Sequence, residues 1–321
     1  MLSEFDIINN IFRQPGLAAE PGASVRLGIG DDCALLAVPD GMDMAVSMDS
    51  LVEGVHFPPG APADLLGYRA LMVNLSDLAA MGATPAGFTL ALTLPTADDT
   101  WLTAFGAGLK AGAQQYQCPL IGGNIARGPL NITIQVHGLV ASGHAITRTG
   151  ARDGDRIYVS GHLGASALAI RRLMTIKDAD PERRRSESAF YKPVPRLALG
   201  AAVTGLVTAG LDISDGLVAD LVHLCAQSDV AGQVDLEAVP MAPALHSLPA
   251  EEARKLALTG GEDYELILTV SPAQEAAFVA AARALDIPVH AIGDIVQGAG
   301  VTCLDSAGHP VAMADTGWRH F

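Results

Sequence analysis

Basic residues are scarce in this chain: 20 Lys and Arg stand against 35 Asp and Glu, a formal charge of −15. A surface of that sign repels nucleic-acid phosphates, so general affinity for nucleic acid is excluded and anions would be handled through bridging cations. Cysteine is scarcer still, with four residues. Cys33, Cys118, Cys225 and Cys303 lie far apart and form no C-x-x-C pair. Neither a zinc site nor a disulfide framework is indicated, and all four are expected as reduced thiols in the core. No apolar run reaches the roughly 18 residues of a membrane span, because Gly, Pro, Asp or Asn interrupts each one. The opening Met1-Leu2-Ser3-Glu4-Phe5-Asp6 is acidic where a secretory leader is basic, so a cytoplasmic protein without membrane partners is expected. A G-x-x-x-x-G-K-[ST] loop is missing, and so is the protein-kinase set with its catalytic lysine.

What is present is a globular composition: 321 residues, half of them hydrophobic and 17% charged. That length accommodates two ordinary domains. Ser3 can cap a first helix with Ile7, Ile8, Ile11 and Phe12 on one face. Met44 to Ser50 alternates like a strand, Ala63 to Met81 reads as a buried helix, and a strand from Phe88 to Leu94 is followed by a helix from Thr96 to about Tyr116. Strands at Leu120 to Asn124 and Leu130 to Val140 close a first domain at residue 145. The second domain, 146–321, opens with a strand at Arg156 to Ser160. It has helices at Leu217 to Gln227 and Pro272 to Leu285, and a charged, solvated stretch at Asp178 to Glu187.

Carboxylates recur in apolar or glycine-rich settings. Asp77 interrupts Val73-Asn74-Leu75-Ser76-Asp77-Leu78-Ala79-Ala80-Met81-Gly82, with no Lys or Arg within a helical turn, and an ionised acid in apolar packing needs a partner. Asp31 and Asp32 end the turn Leu27-Gly28-Ile29-Gly30. Ser47 and Asp49 share one face of a strand. Asp212 and Asp215 flank Ile213-Ser214, and Gly260-Gly261 precedes Glu262-Asp263-Tyr264-Glu265. The oxygen donors Asp31, Ser47, Asp49, Asp77, Asp212 and Asp215 suit the hard cations Mg²⁺ or Ca²⁺ rather than zinc or copper. Several Mg²⁺ ions on a polyphosphate would satisfy all of them, which points to a nucleoside triphosphate. Backbone N–H groups at Gly122-Gly123 form a concavity suited to phosphate, and Arg148 can fork onto one. Phosphoryl transfer needs alignment and electrostatic stabilisation, which such an arrangement supplies.

Together these motifs resemble the thiamine-monophosphate kinases, of the superfamily of aminoimidazole ribonucleotide synthetase. The likeness rests on Gly28-Ile29-Gly30-Asp31-Asp32, Ser47-Met48-Asp49, Asn74 to Gly82, Ile121-Gly122-Gly123, Asp212 to Leu217 and Gly260 to Glu265, in order along nearly the whole chain. It implies a mixed α/β (α+β) protein of two domains. The N-terminal sheet would form a barrel across a homodimer, and a C-terminal α/β sandwich-like domain would complete a cleft for ATP. It implies ATP-dependent phosphorylation of thiamine monophosphate to thiamine diphosphate by direct transfer, with several Mg²⁺ as cofactors. By motif match, Asp31, Ser47, Met48, Asp49, Asp77, Asn124, Asp212 and Asp215 would hold metal, Met48 only through its carbonyl. Gly123, Asn124, Arg148 and Ser214 would contact ATP; His56, Glu262 and Trp318 would face thiamine monophosphate. Two positions depart from the family pattern: Asn124 stands where Asp is common, and Met48 where a hydroxyl residue is common.

Three relatives in the superfamily fit less well. A selenophosphate synthetase would need a reactive Cys or selenocysteine near the glycine turn, where Cys33 is poorly placed. A hydrogenase-maturation protein would need a C-terminal Cys, and the chain ends in Phe321. Aminoimidazole ribonucleotide synthetase itself matches the Asn74 to Gly82 and Gly260 to Glu265 wording less closely. From a different class, a module that binds Mg·ATP without turnover is the competing reading.

Overall fold

The computed structural model describes residues 3–22, 24–175, 188–312 and 317. The stretch Asp178 to Glu187 and the residue Trp318 lie outside the described residues. Two compact units are present: Met1–Leu78 with Ala83–Gly143, and Ala79–Gly82 with His144–Phe321. Sequence patterning predicts one cut after residue 145, whereas the four residues Ala79–Gly82 group with the second unit.

In the first unit, Ser3 caps α1 (Glu4–Ile7), accepting from the Asp6 amide while Asp6 reaches back to the Ser3 backbone. The helix continues as a π-helical turn, Ile8–Phe12, and Ile7, Ile11 and Phe12 are buried. Then come β1 (Val25–Leu27), β2 (Leu35–Leu36), β3 (Met42–Val52), α2 (Ala63–Ala80), β4 (Thr84–Leu94), α3 (Asp99–Tyr116), β5 (Leu120–Arg127) and β6 (Asn131–Ala141). α3 starts later than expected: Asp98, not Thr96, accepts from the Trp101 amide at 2.7 Å, in keeping with the stronger capping tendency of Asp. Leu66, Ala70, Leu71, Met72, Val73, Leu75 and Leu78 are all essentially inaccessible, and so are Arg69, Asn74 and Ser76, so α2 is buried around most of its circumference rather than amphipathic.

Four strands form the first sheet in the order β3-β6-β4-β5, antiparallel except for the β4–β5 pair. Along β6, Ile132, Ile134, Val136 and Val140 are buried, while Thr133, Gln135, His137 and Leu139 between them are half-buried. Period-two alternation therefore buries one face and leaves the other partly open. The edge strand β3, eleven residues long, shows Val46 and Met48 to solvent at 51% and 61% exposure.

The second unit contains β7 (Arg156–Ser160), α4 (Ala165–Thr175), α5 (Leu197–Val203), β8 (Ala209–Asp212), α6 (Leu217–Ser228), β9 (Ala231–Asp235), α7 (Ala250–Thr259), β10 (Leu266–Val270), α8 (Glu275–Ala284), β11 (Val289–Val296), β12 (Gly300–Leu304) and β13 (Pro310–Val311). Its sheet runs β13-β12-β9-β11-β7-β10-β8, with β12–β9 the parallel pair. Both faces are packed. Ile157, Val159 and Ile267 join one apolar cluster with Leu217, Leu221 and Leu224 of α6 and Ala257 of α7. Tyr158, Leu266, Leu268 and Val270 join another with Leu199 and Val203 of α5 and Phe278 of α8. β10 is accordingly buried at every position, and the unit is a sheet sandwiched between helix layers.

Three cysteines are core thiols, but Cys33 is exposed. It follows the exposed pair Asp31-Asp32, and a turn that keeps two carboxylates in water carries its neighbour out with them. Burial pushes the Cys118 and Cys225 thiols up to about 12 and about 11, so both remain protonated at neutral pH.

Candidate active site

In the first unit, β3 and α2 meet at matched spacings. The Ser47 hydroxyl donates to Asp77 Oδ2 at 2.5 Å, and the Asp49 amide donates to Asn74 Oδ1 at 2.9 Å. Residues two apart on the strand thus pair with residues three apart on the helix, the spacings that keep each pair on one side of its element. Asn74 is itself held by donation to the Ala70 carbonyl at 2.8 Å, and only 1% of it is exposed. Asp77 is half-buried rather than sealed in the core, so it can face a cation while keeping its Ser47 bond. Asp49 is exposed, and the Met48 side chain points to solvent, leaving only its carbonyl as a donor.

A mostly apolar, open cleft is lined by Ile8, Phe12, Ile29, Leu90, Leu120, Gly122, Gly123, Asn124 and Ile125. It brings the Gly28–Asp32 turn and the Gly122-Gly123-Asn124 segment to one place. Gly123 has φ +153°, and a Cβ there would sit 2.0 Å from the Leu90 carbonyl oxygen, so no side chain fits. Asn124 is exposed on β5. Asp31 is exposed too, its Oδ1 accepting from the Asp32 amide at 3.0 Å. His56 accepts the Val52 amide at Nδ1, at 3.1 Å, which assigns its ring proton to Nε2.

In the second unit, two motifs form a joined pair of segments. The Glu262 amide donates to the Ser214 carbonyl, Tyr264 to Ile213, and Ile213 to Glu265, each at 2.8 Å. This closeness forces Gly261, Glu262 and Tyr264 into left-handed backbone, with φ of 66°, 64° and 52°. For Glu and Tyr that conformation costs on the order of 1–3 kcal/mol each, a strain that clusters at functional sites. Asp212, at the end of β8, is 6% exposed, while Ser214 and Asp215 are half-buried. Gly317 packs on the same turn: a Cβ there would lie 2.5 Å from the Asp215 carbonyl oxygen. Arg148 is exposed, and its carbonyl accepts from the Ser228 hydroxyl at 2.8 Å.

Sequence reasoning left several acids without a role. Asp220 Oδ2 accepts from the amides of Ser214, Asp215 and Gly216 at 3.0, 3.0 and 3.1 Å. Burial, then the charge of Asp215, lifts Asp220 to about 7 against the pull of those three donors. Asp263 takes the Gly164 amide with both oxygens, at 2.9 and 3.0 Å, and burial raises it well above the usual carboxylate range. Glu265 accepts from the Ser160 hydroxyl at 2.5 Å and from Arg196 Nε at 2.6 Å, with Arg196 Nη2 on its other oxygen. The acidic spacing in the sequence carried no signal separating these inward acids from outward ones. Among the described residues, no three His, Cys, Asp or Glu side chains gather closely enough to hold a metal by themselves. The donor set includes a Ser hydroxyl, an Asn amide and a Met carbonyl, and its all-oxygen chemistry fits Mg²⁺.

Residues 30–140 match the family description AIR synthase related protein, N-terminal domain, and residues 152–305 match the corresponding C-terminal domain. The thiamine-monophosphate kinase of Escherichia coli strain K12 is 44% identical over 305 residues, 92% of each chain. The chain belongs to the thiamine-monophosphate kinase family. The crystal structure of that kinase from Stenotrophomonas maltophilia K279a is 42% identical, covers 90% of this chain and 92% of its own, and superposes with a TM-score of 0.83. The structure of AaThiL complexed with AMPPCP and TMP covers 99% of this chain and 97% of its own, at 28% identity and a TM-score of 0.78. Family membership accounts for the mixed α/β fold and for the two matched domains.

Proposed function

We propose that this chain transfers the terminal phosphoryl group of ATP to thiamine monophosphate, forming thiamine diphosphate, by direct in-line displacement without a phosphoenzyme. The observation that carries the reading is the 44% identity with the E. coli kinase across 92% of both chains. Asp31, Ser47, Asp49 and Asp77, with the Met48 carbonyl and the Asn124 amide oxygen, would hold Mg²⁺ from the first unit. Asp212 and Asp215 would do so from the second. Bound Mg²⁺ would neutralise phosphate oxygens as charge shifts between them. Gly123 admits the nucleotide close to the backbone, Ser214 offers a hydroxyl, and Arg148 supplies a fork of donors for phosphate. His56 presents an N–H at Nε2, Glu262 a carboxylate for the cationic acceptor, and Trp318 an aromatic face. No covalent nucleophile is required of the protein.

A homodimer accompanies this reading. The long edge strand β3 and the half-open face of its sheet would be covered by the same face of a second copy, pairing the sheets into a barrel. We place the reaction in the cytoplasm; among the described residues no helix is long and apolar enough to cross a membrane. The test is incubation of the purified chain with Mg·ATP and thiamine monophosphate. Thiamine diphosphate and ADP should appear in equal amounts and disappear when Mg²⁺ is chelated. Nucleotide binding without product would refute the kinase reading.

A further inference from the structure

The turn Ser214-Asp215-Gly216 presents three consecutive backbone amides to one point. Such a concavity of N–H groups is a common phosphate cradle, and on its own it would draw an anion. Here the point is already filled. All three amides donate to the same oxygen, Asp220 Oδ2, at 3.0, 3.0 and 3.1 Å, and Asp220 is 4% exposed within the first turn of α6. The backbone of the turn is therefore satisfied from inside. What it offers to a ligand is the Ser214 hydroxyl and the Asp215 carboxylate, beside Asp212.

We propose that Asp220 is a positioning residue for phosphoryl transfer: an internal carboxyl oxygen that occupies the amide cradle, fixes the turn, and so commits this end of the site to a cation rather than to phosphate directly. The proposal rests on the reading of Asp215 as a metal ligand. Physically, a carboxylate bonded to three amides holds three successive peptide planes, and the orientation of Asp215 follows from them.

The test uses the full chain with Asp220→Ala, Asp220→Asn and Asp215→Asn. Asp220→Ala should weaken Mg²⁺ binding, read by calorimetry without turnover, by about 10–100-fold, the usual cost of losing a partner that orients a ligand, and raise the Mg²⁺ concentration for half-maximal activity alike. It should also gain inhibition by sulfate or inorganic phosphate, competitive with ATP, because the vacated amides now take an anion; a purely structural role for Asp220 would not create that inhibition. Asp220→Asn keeps one acceptor oxygen and should fall between wild type and Asp220→Ala. If Asp220→Ala does not fold, Asp220→Asn carries the test, and a wild-type Mg²⁺ requirement in it overturns the proposal. So does a folded Asp220→Ala with unchanged Mg²⁺ requirement and no new anion inhibition. Asp215→Asn separates the two levels: if it leaves the Mg²⁺ requirement unchanged, the metal-ligand reading fails, whereas a shift there with none in Asp220→Asn defeats the positioning role alone.

Discussion

Replacing Arg196 with methionine should be among the most damaging single changes in the second unit. Glu265 is 7% exposed, and the facing side chains of the pair are 19% and 9% accessible. The carboxylate receives the Ser160 hydroxyl at 2.5 Å and two donors of the Arg196 guanidinium, one of them at 2.6 Å. Methionine preserves the length and much of the apolar stem while removing both charge-assisted bonds, so Glu265 keeps the single Ser160 donor inside the fold. Breaking a buried pair in this way costs about 3–5 kcal/mol, because the remaining charge stays desolvated. For a unit of this size that is a fall in melting temperature of about 6–20 °C. Urea denaturation followed by circular dichroism, with calorimetry, reads both quantities. A double-mutant cycle sharpens the reasoning: Arg196→Met with Glu265→Met leaves no buried charge and should cost less than the sum of the two single changes. A loss below about 1 kcal/mol for Arg196→Met would mean that the carboxylate finds water or another donor, and the argument from burial would be wrong.

Gly317→Ala should impair use of thiamine monophosphate. The residue has φ +146°, and a Cβ would lie 2.5 Å from the Asp215 carbonyl oxygen and 2.7 Å from the Ala219 Cβ, so this end of the chain must shift. Steady-state kinetics should show kcat/KM for thiamine monophosphate reduced by up to about 10²-fold, the scale of small misplacements in a reacting geometry, with unchanged kinetics counting against the placement. Asn124→Asp should lower the Mg²⁺ concentration needed for activity, since it restores a charged oxygen donor on β5; equal or weaker Mg²⁺ dependence would remove Asn124 from the ligand set. Burial lowers the pKa of His137 and His290 from the usual 6.5, with the nearby His162 adding to the effect on His290. The unfolded chain then binds protons first, so stability should be flat above about pH 6.5 and decline as pH falls through that value towards the lower folded-state values; His137→Gln with His290→Gln should flatten that decline in pH-dependent unfolding.

The fold was legible where apolar patterning alone decides it. The segment Ala63 to Met81 reads as a buried helix because Leu, Ala, Val and Met dominate it, and α2 is buried at most positions, with Asp77 half-buried among them. Alternation places strands at β3 and β6: β6 is only shifted by one residue from the expected Leu130 to Val140, whereas β3 runs two residues past each expected end, because pairing across all eleven positions, Met42↔Ala141 to Val52↔Asn131, carries it past the point where alternation fades. The start of α3 was misplaced because Thr96 and Asp98 are both competent caps, and only the folded backbone shows which side chain reaches an amide. Cys33 was misassigned for a related reason. Its apolar character says core, while the solvation of Asp31-Asp32 beside it decides the matter.

The site was legible as a list of acids and much less so as a division of labour among them. Asp215, Glu262, Asp263 and Glu265 stand within two motifs and Asp220 just beyond one of them, and by residue type they are equivalent. What separates them is where the compensation for each charge comes from. Asp220 is compensated by three amides, Asp263 by the Gly164 amide, and Glu265 by Arg196 and Ser160, all supplied by the protein. The amides that meet Asp220 lie 4 to 6 residues away, but the partners of Asp263 and Glu265 lie 69 to 105 residues away, beyond any local window. An acid already satisfied internally has little to gain from a cation, and one left facing outward at a strained turn has much. Substitution should therefore sort the motif acids into two classes. Changes at Asp263 or Glu265 should lower stability with Mg²⁺ dependence intact in whatever folds, and changes at Asp215 should raise the Mg²⁺ requirement with stability intact. Asp220, bonded to the turn that carries Asp215, should alone do both.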